Sequence, residues 1–151
     1  MKALKYMVMA VCLFFGSCQS NPKSDKLYEE GISLELAQLR KQEIKDLKYG
    51  LSFSIPEKKQ EAVEAEMKVR FTIQHSQEII LDFRESADKI KEVSVNGQPV
   101  DYRFEKEHVI IPEEATAKGT NEIDIRFTAG DQSLNRNDEF LYTLLVPDRA
   151  R

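Results

Sequence analysis

The chain has 151 residues, of which 22 are basic and 26 are acidic, and its formal net charge is −4. The basic residues are scattered, with no cluster longer than a pair, so composition and charge argue against nucleic acid as a partner. The length suits a single domain with a core of its own.

The first 17 residues have the layout of a secretory signal peptide. Lys2 and Lys5 form a basic start, an apolar stretch occupies residues 6–15, and two small residues follow. The apolar stretch is about half as long as the roughly 20 residues that a helix needs to cross a bilayer. We therefore expect an exported protein whose signal peptide, residues 1–17, is removed.

Cys18 directly follows this segment. The stretch FGSC resembles the lipobox of bacterial lipoproteins, in which small residues precede a cysteine that becomes lipidated, although Phe15 stands where Leu is usual. Ordinary signal cleavage beside a chance cysteine is the alternative. The resemblance implies a lipid anchor at Cys18, a polar linker over residues 18–30, and a place on the periplasmic side of a membrane or on the cell surface. The other cysteine, Cys12, lies within the signal, so no disulfide framework is expected.

The chain then predicts one short helix. In the stretch SLELAQLRKQEI, Ser33 is a suitable N-cap, Glu35 lies in the first turn, and three leucines form a ragged apolar side. After this stretch, apolar residues recur at every second position. That period is typical of strands with one buried side and one side facing solvent.

Alternating or short apolar segments fill the remaining chain, and Asn96-Gly97 between two of them predicts a type I′ hairpin turn. We count about seven or eight strands. They predict an all-β fold, either an antiparallel β-sandwich or a curved, saddle-like sheet, with one short N-terminal helix. Five phenylalanines fall in the apolar phase of the strands and are expected in the core: Phe53, Phe71, Phe83, Phe104 and Phe127.

The residues themselves predict no catalytic or metal site. His75 and His108 are far apart and lack the His-Glu-x-x-His spacing, so both are predicted to be surface residues at strand ends. A nucleophile elbow, a phosphate loop and a dinucleotide fingerprint are all missing from the sequence. The acidic residues fall mostly on the solvent-facing phase, and the aromatic residues on the apolar phase, which argues against a sugar-binding platform. The residues alone therefore indicate an exported, non-catalytic β domain.

Five stretches between residues 31 and 151 carry a family resemblance. LRKQEIKDLKYGLSFS matches an arginine followed by the pattern I-x-D-(hydrophobic)-x-Y-x-L-x-F, through Arg40, Ile44, Asp46, Leu47, Tyr49, Leu51 and Phe53. ILDFRE, VSVNGQPV, GTNEIDIRFTAG and RNDEFLYTLLVPDRAR follow in order. Together they resemble the N-terminal domain of aminopeptidase N-type zinc metallopeptidases, the gluzincins, in a bacterial lipoprotein form.

The resemblance implies a β-rich saddle that packs on a catalytic domain missing from this chain and shapes the mouth of its cleft. In the family, the zinc ligands, the exopeptidase loop and the catalytic tyrosine all come later in the polypeptide. Zinc and the peptide substrates therefore belong to the full-length enzyme, which removes N-terminal residues from peptides. This chain would be a non-catalytic fragment without a cofactor, held at a membrane by its lipid.

The resemblance also suggests which residues lie near substrate. Many family members place a Gln or Glu from the end of this domain against the free amino group of the substrate. Leu144 occupies that place here, and a leucine cannot accept the hydrogen bond. Asp138 and Glu139 are the nearest acids, with a solvated turn as the alternative. Residues 140–146 would face the catalytic domain and be exposed without it. The competing interpretation is a stand-alone β-sandwich lipoprotein that binds a partner or a glycan.

Overall fold

The computed structural model describes residues 26–130, 132, 134–137 and 139–143. Within these residues the chain forms one α-helix, three short 3-10 helices and ten strands. The α-helix is α1 (Leu34–Glu43), and the 3-10 helices are Lys26–Tyr28, Ala87–Lys89 and Glu113–Ala115. The strands are β1 (Lys45–Ser54), β2 (Val63–Ile73), β3 (Ile79–Asp82), β4 (Ile90–Val95), β5 (Gln98–Pro99), β6 (Arg103–Glu105), β7 (His108–Ile111), β8 (Gly119–Ala129), β9 (Leu134–Arg136) and β10 (Leu141–Thr143).

The strands form three antiparallel sheets. The largest has five strands in the order β1-β2-β8-β4-β5, the second has three in the order β3-β7-β6, and β9 and β10 form a two-stranded ribbon. Strands β2 and β8 pair along their whole length, from Val63 opposite Ala129 to Ile73 opposite Gly119. The predicted antiparallel β fold is confirmed, and its strand count exceeds the expected seven or eight because several strands have only two to four residues.

The main core lies between the five-stranded and the three-stranded sheet. Alternating residues of β2, β4 and β8 face the inner residues of β3 and β7. The ring of Phe83 meets the rings of Phe127 and Phe104 edge to face, with centroids 5.3 and 6.4 Å apart. Phe71 is fully buried, and Phe104 and Phe127 are partly buried against the same cluster. The core positions predicted for these four phenylalanines are confirmed.

A helical layer covers the other side of the three-stranded sheet. Ser33 caps α1 as predicted, because its hydroxyl accepts a hydrogen bond of 3.1 Å from the backbone N–H of Leu36. Leu36 then packs with Ile80 and Ile110, joined by Leu27 and Tyr28 from the first 3-10 helix. The described end of the predicted linker, from Lys26, therefore contacts the domain. Covered on both sides, β7 is buried throughout.

The predicted hairpin turn at Asn96-Gly97 is also present. Both residues have positive φ angles, 52° and 78°, as a type I′ turn requires. The expected return strand is shorter than predicted. It pairs only through Gln98 and Pro99, and β6 lies in the other sheet. Proline has no N–H to donate to a neighbouring strand, so within sheets it occurs mainly in edge strands or at strand ends. Strand β5 is indeed an edge strand of its sheet.

Among the described residues, no helix combines the length and the apolar character required to span a membrane.

Candidate functional site

The largest departure from the predicted core lies on β1. Five apolar residues on one side of this strand and just after it are between 42% and 57% exposed. We call this set the β1 stripe: Leu47, Tyr49, Leu51, Phe53 and Ile55. The core position predicted for Phe53 is therefore wrong, since its side chain is 52% exposed.

The strand register explains this exposure. Residues directly opposite each other in an antiparallel pair lie on the same side of the sheet. Tyr49 is opposite the core residue Val69, and Phe53 is opposite the buried residue Ala65. The β1 stripe therefore lies on the core side of the five-stranded sheet. It is uncovered because the sheet that packs there has only three strands, and β1 is the outermost of the five.

The opposite side of the same sheet is polar. Lys68 lies 3.0 Å from both Glu122 and Asp124, and Lys91 forms an ion pair with Glu64. The hydrogen bonds to Asp124 and then Glu122 raise the pKa of the Lys68 ammonium group above its ordinary value. These charged side chains pair with one another across the strands. The unusual surface of the domain is therefore the apolar one.

The outer edge of β1 is also unpaired in the described structure, because no described strand lies beyond it. Natural edge strands are usually protected by charges, prolines or bulges. Here the bulge lies between Lys45 and Lys48, and Asp46 beside it has a φ of 52°. Residues 49–54 carry no charge and no proline. This half of β1 therefore leaves both a backbone edge and an apolar side uncovered.

The β1 stripe continues onto the ribbon formed by β9 and β10. Phe140, Leu141 and Tyr142 are each more than half exposed, which confirms the expected apolar patch for these residues. Ile55, Phe140 and Leu141 line one shallow depression of about 420 Å³. The buried Arg136 holds the ribbon in place, because its guanidinium donates hydrogen bonds to the carbonyl oxygens of Pro56, Lys59 and Glu61.

One of the predicted substrate-proximal residues lies at this depression. Glu139 is exposed and lines its rim, in a turn where the side chain of Asn137 accepts hydrogen bonds from the backbone N–H groups of residues 139 and 140. This is the solvated turn that sequence reasoning gave as the alternative. Asp138 and Leu144 lie outside the described residues, and so does Cys18.

A second polar cluster fixes α1 beside the other end of the β1 stripe. Arg40 donates two hydrogen bonds of 2.7 Å to the carboxylate of Asp82 and one of 2.8 Å to the carbonyl oxygen of Ile80. Bidentate pairs of this kind set geometry as well as energy. Tyr49 lies nearby, and the partial burial of its side chain is the main cause that raises the pKa of its phenol.

The prediction for the two histidines is half right. His75 is exposed and lies 4.0 Å from a carboxylate oxygen of Glu43. His108 is completely buried, which corrects the predicted surface position. The helical layer covers it, and its Nε2–H donates to the carbonyl oxygen of Glu29 at 2.9 Å, while Nδ1 lies 3.1 Å from Asp82. Sequence alternation could not reveal this cover, because it comes from residues about 80 positions away.

The described residues do not fit the zinc ion that the family resemblance implies for a full-length enzyme. They contain no group of three or more His, Cys, Asp or Glu side chains placed to hold a metal. A zinc site needs three or four such ligands. We therefore derive no catalytic step from this part of the chain.

Comparison of the chain with protein-family models, with curated proteins and with solved structures found no match.

Proposed function

We propose that this chain is the non-catalytic N-terminal domain of an exported zinc aminopeptidase. In this proposal the domain packs through its apolar surface on a catalytic domain outside the chain and shapes the entrance to the cleft. The observation that carries the proposal is the continuous apolar surface formed by the β1 stripe and by residues 140–142. It supports the proposal because the resemblance implies an interface with a second domain.

The size of this surface fits an interface between domains. Eight large side chains are each about half exposed. At 150–250 Å² for a full aromatic side chain, they present roughly 600–800 Å² of mostly apolar area. The largest patch on an ordinary monomer is about 300–600 Å², and interfaces between domains of one chain bury about 600–1,500 Å². The surface is therefore larger than a lone domain usually exposes.

The proposed division of labour leaves the chemistry to the catalytic domain. That domain would supply the zinc ion, which activates a water molecule, and the glutamate that serves as the base. The present domain would shape the entrance through which the peptide substrate reaches the cleft. Glu139 lies at the rim of the depression beside the proposed interface, where its carboxylate would accept a hydrogen bond from a substrate ammonium group.

The proposal also includes export and a lipid anchor at Cys18 on the outer side of a bacterial membrane. A Cys18→Ser variant tests it. We expect the wild-type protein to sediment with membranes and to carry a lipid mass on Cys18. We expect the variant to appear in the soluble exported fraction. An unmodified Cys18 in the mature wild-type protein would contradict the anchor.

A specific observation favours a second candidate, a stand-alone lipoprotein that binds glycans. Tyr49, Phe53, Phe140 and Tyr142 are exposed aromatic residues, and among them Phe53 was expected in the core. Exposed aromatic rings are the usual platforms for sugars. This candidate predicts that the isolated chain is monomeric and that oligosaccharides shift the aromatic signals of these residues.

The coding sequence downstream of the Arg151 codon separates the two candidates. The aminopeptidase proposal predicts a Phe-Pro-Cys-Phe-Asp-like stretch and later a His-Glu-x-x-His, in this frame or a neighbouring one. It further predicts that the purified gene product contains zinc and releases N-terminal residues from peptides. A stop codon with neither motif downstream would contradict it and favour the binding module.

A further inference from the structure

A pocket of about 280 Å³ opens beside the first residues of the β1 stripe, between α1, β1, β2 and β3. Its floor is formed by the core residues Val69, Phe71, Ile79 and Leu81. A cavity of about 150 Å³ lined by such side chains holds a benzene ring. The pocket therefore has room for one aromatic or branched aliphatic group, and it gives that group access to the edge of the main core.

The rim of this pocket is positively charged, in a chain whose net charge is −4. Its charged residues are Arg40, Lys41 and Asp82. The carboxylate of Asp82 already accepts both hydrogen bonds from Arg40 and lies against His108. Among the described residues, no carboxylate lies within ion-pair distance of Lys41. Lys45 does not line the pocket, but its ammonium group donates a hydrogen bond of 3.1 Å to the carbonyl oxygen of the rim residue Lys41.

We infer that this pocket binds one bulky apolar group that carries a carboxylate beside it. In the assembled protein, the group is a side chain of the segment that covers the β1 stripe, next to an acidic residue of that segment. Leu47 and Tyr49 belong to both the stripe and the pocket, so a segment that follows the stripe passes the pocket mouth. The identity of that segment rests on the proposed function, whereas the chemistry of the pocket does not.

The test uses two probes of similar shape and opposite charge, 3-phenylpropionate and 3-phenylpropylamine. Butyrate serves as a third probe, which has the negative charge of the acid but no aromatic ring. Binding is measured on the full chain from the shifts of isoleucine methyl NMR signals. Ile44 and Ile79 line the pocket, and Ile125 is a core residue away from it. We expect 3-phenylpropionate to bind with a Kd on the order of a few millimolar. We expect the amine to bind about fivefold more weakly, the factor of one partly exposed charge pair.

Two pairs of variants locate the site. Lys41→Gln should remove most of the preference for the acid, whereas Lys118→Gln, an exposed lysine elsewhere, should keep it. Leu47→Trp should occupy the pocket and weaken 3-phenylpropionate by at least about tenfold. Leu51→Trp, on the same side of β1 but outside the pocket, should bind normally. Leu47 and Leu51 are about half exposed, so both variants should fold, and unchanged Ile125 signals would show it.

Several results would overturn the inference. The first is equal affinity for the acid and the amine. The second is a set of NMR shifts that does not include the methyl signals of Ile44 and Ile79. The third is unchanged affinity of Leu47→Trp for 3-phenylpropionate. A lack of any saturable shift up to tens of millimolar would also overturn it. These outcomes are independent of the proposed function, which depends on the downstream coding sequence and on zinc in the gene product.

Discussion

Replacing Phe53 and Phe71 by alanine, one at a time, tests whether β1 is uncovered. The two residues lie on adjacent strands, and their side chains are 52% and 1% exposed. Truncating a buried phenylalanine costs about 3–5 kcal/mol of folding free energy, because transfer and cavity terms add. For Phe53, half of the side chain is already in water, so only about half of a roughly 2 kcal/mol transfer term is lost, and no closed cavity forms.

We therefore expect a loss of about 1 kcal/mol for Phe53→Ala and at least about 3 kcal/mol for Phe71→Ala. The measurement is urea unfolding of the full chain, followed by circular dichroism with a two-state fit. If Phe71→Ala fails to fold, Phe71→Leu replaces it. This variant is again expected to lose more stability than Phe53→Ala. A Phe53→Ala cost equal to that of Phe71→Ala would show that β1 is covered in the isolated chain, and the reasoning would be refuted.

Three further predictions concern the elements around this surface. Arg40→Ala should lower stability by about 1–3 kcal/mol and speed amide exchange in the helical layer, because it leaves the Ile80 carbonyl and the Asp82 carboxylate without their donor; unchanged exchange in residues 34–43 would contradict this. Gly97→Ala should cost about 1 kcal/mol through backbone strain alone, since φ is 78° and no atom lies within 4 Å of the added methyl; a neutral effect in urea unfolding would contradict the I′ turn. Because the pKa of Lys68 is raised in the folded state, its contribution to stability is complete below the ordinary value of 10.5 and is lost as pH rises above it. Lys68→Gln should flatten stability against pH in that range, and an unchanged profile would count against the pairing.

Features that depend on neighbouring residues could be predicted from the sequence. The Ser33 cap and the Asn96-Gly97 turn are both set by local backbone chemistry, and both are present. The alternation of β2 and β8 also correctly indicated which side chains face inward, because a strand places alternate residues on opposite sides.

Features that depend on distant residues could not be predicted from the sequence. Alternation shows which side of β1 carries apolar residues, but not whether another layer reaches that side. Phe53 therefore looked like a core residue, although the covering sheet stops before β1. His108 shows the reverse error, since its polar side chain is buried by a helical layer from the other end of the chain. The candidate surface was thus only partly predicted, through residues 140–142 and not through β1.

The most direct test of the central claim is hydroxyl-radical footprinting of the β1 stripe, in this chain alone and in the longer protein that the proposal predicts. Oxidation of Tyr49 and Phe53 is read by mass spectrometry, with the exposed His75 as the internal reference. The proposal predicts that both aromatic residues are oxidised severalfold more slowly in the longer protein, because its catalytic domain would cover them. Equal oxidation in the two samples would contradict the claim that the β1 stripe is an interface between domains.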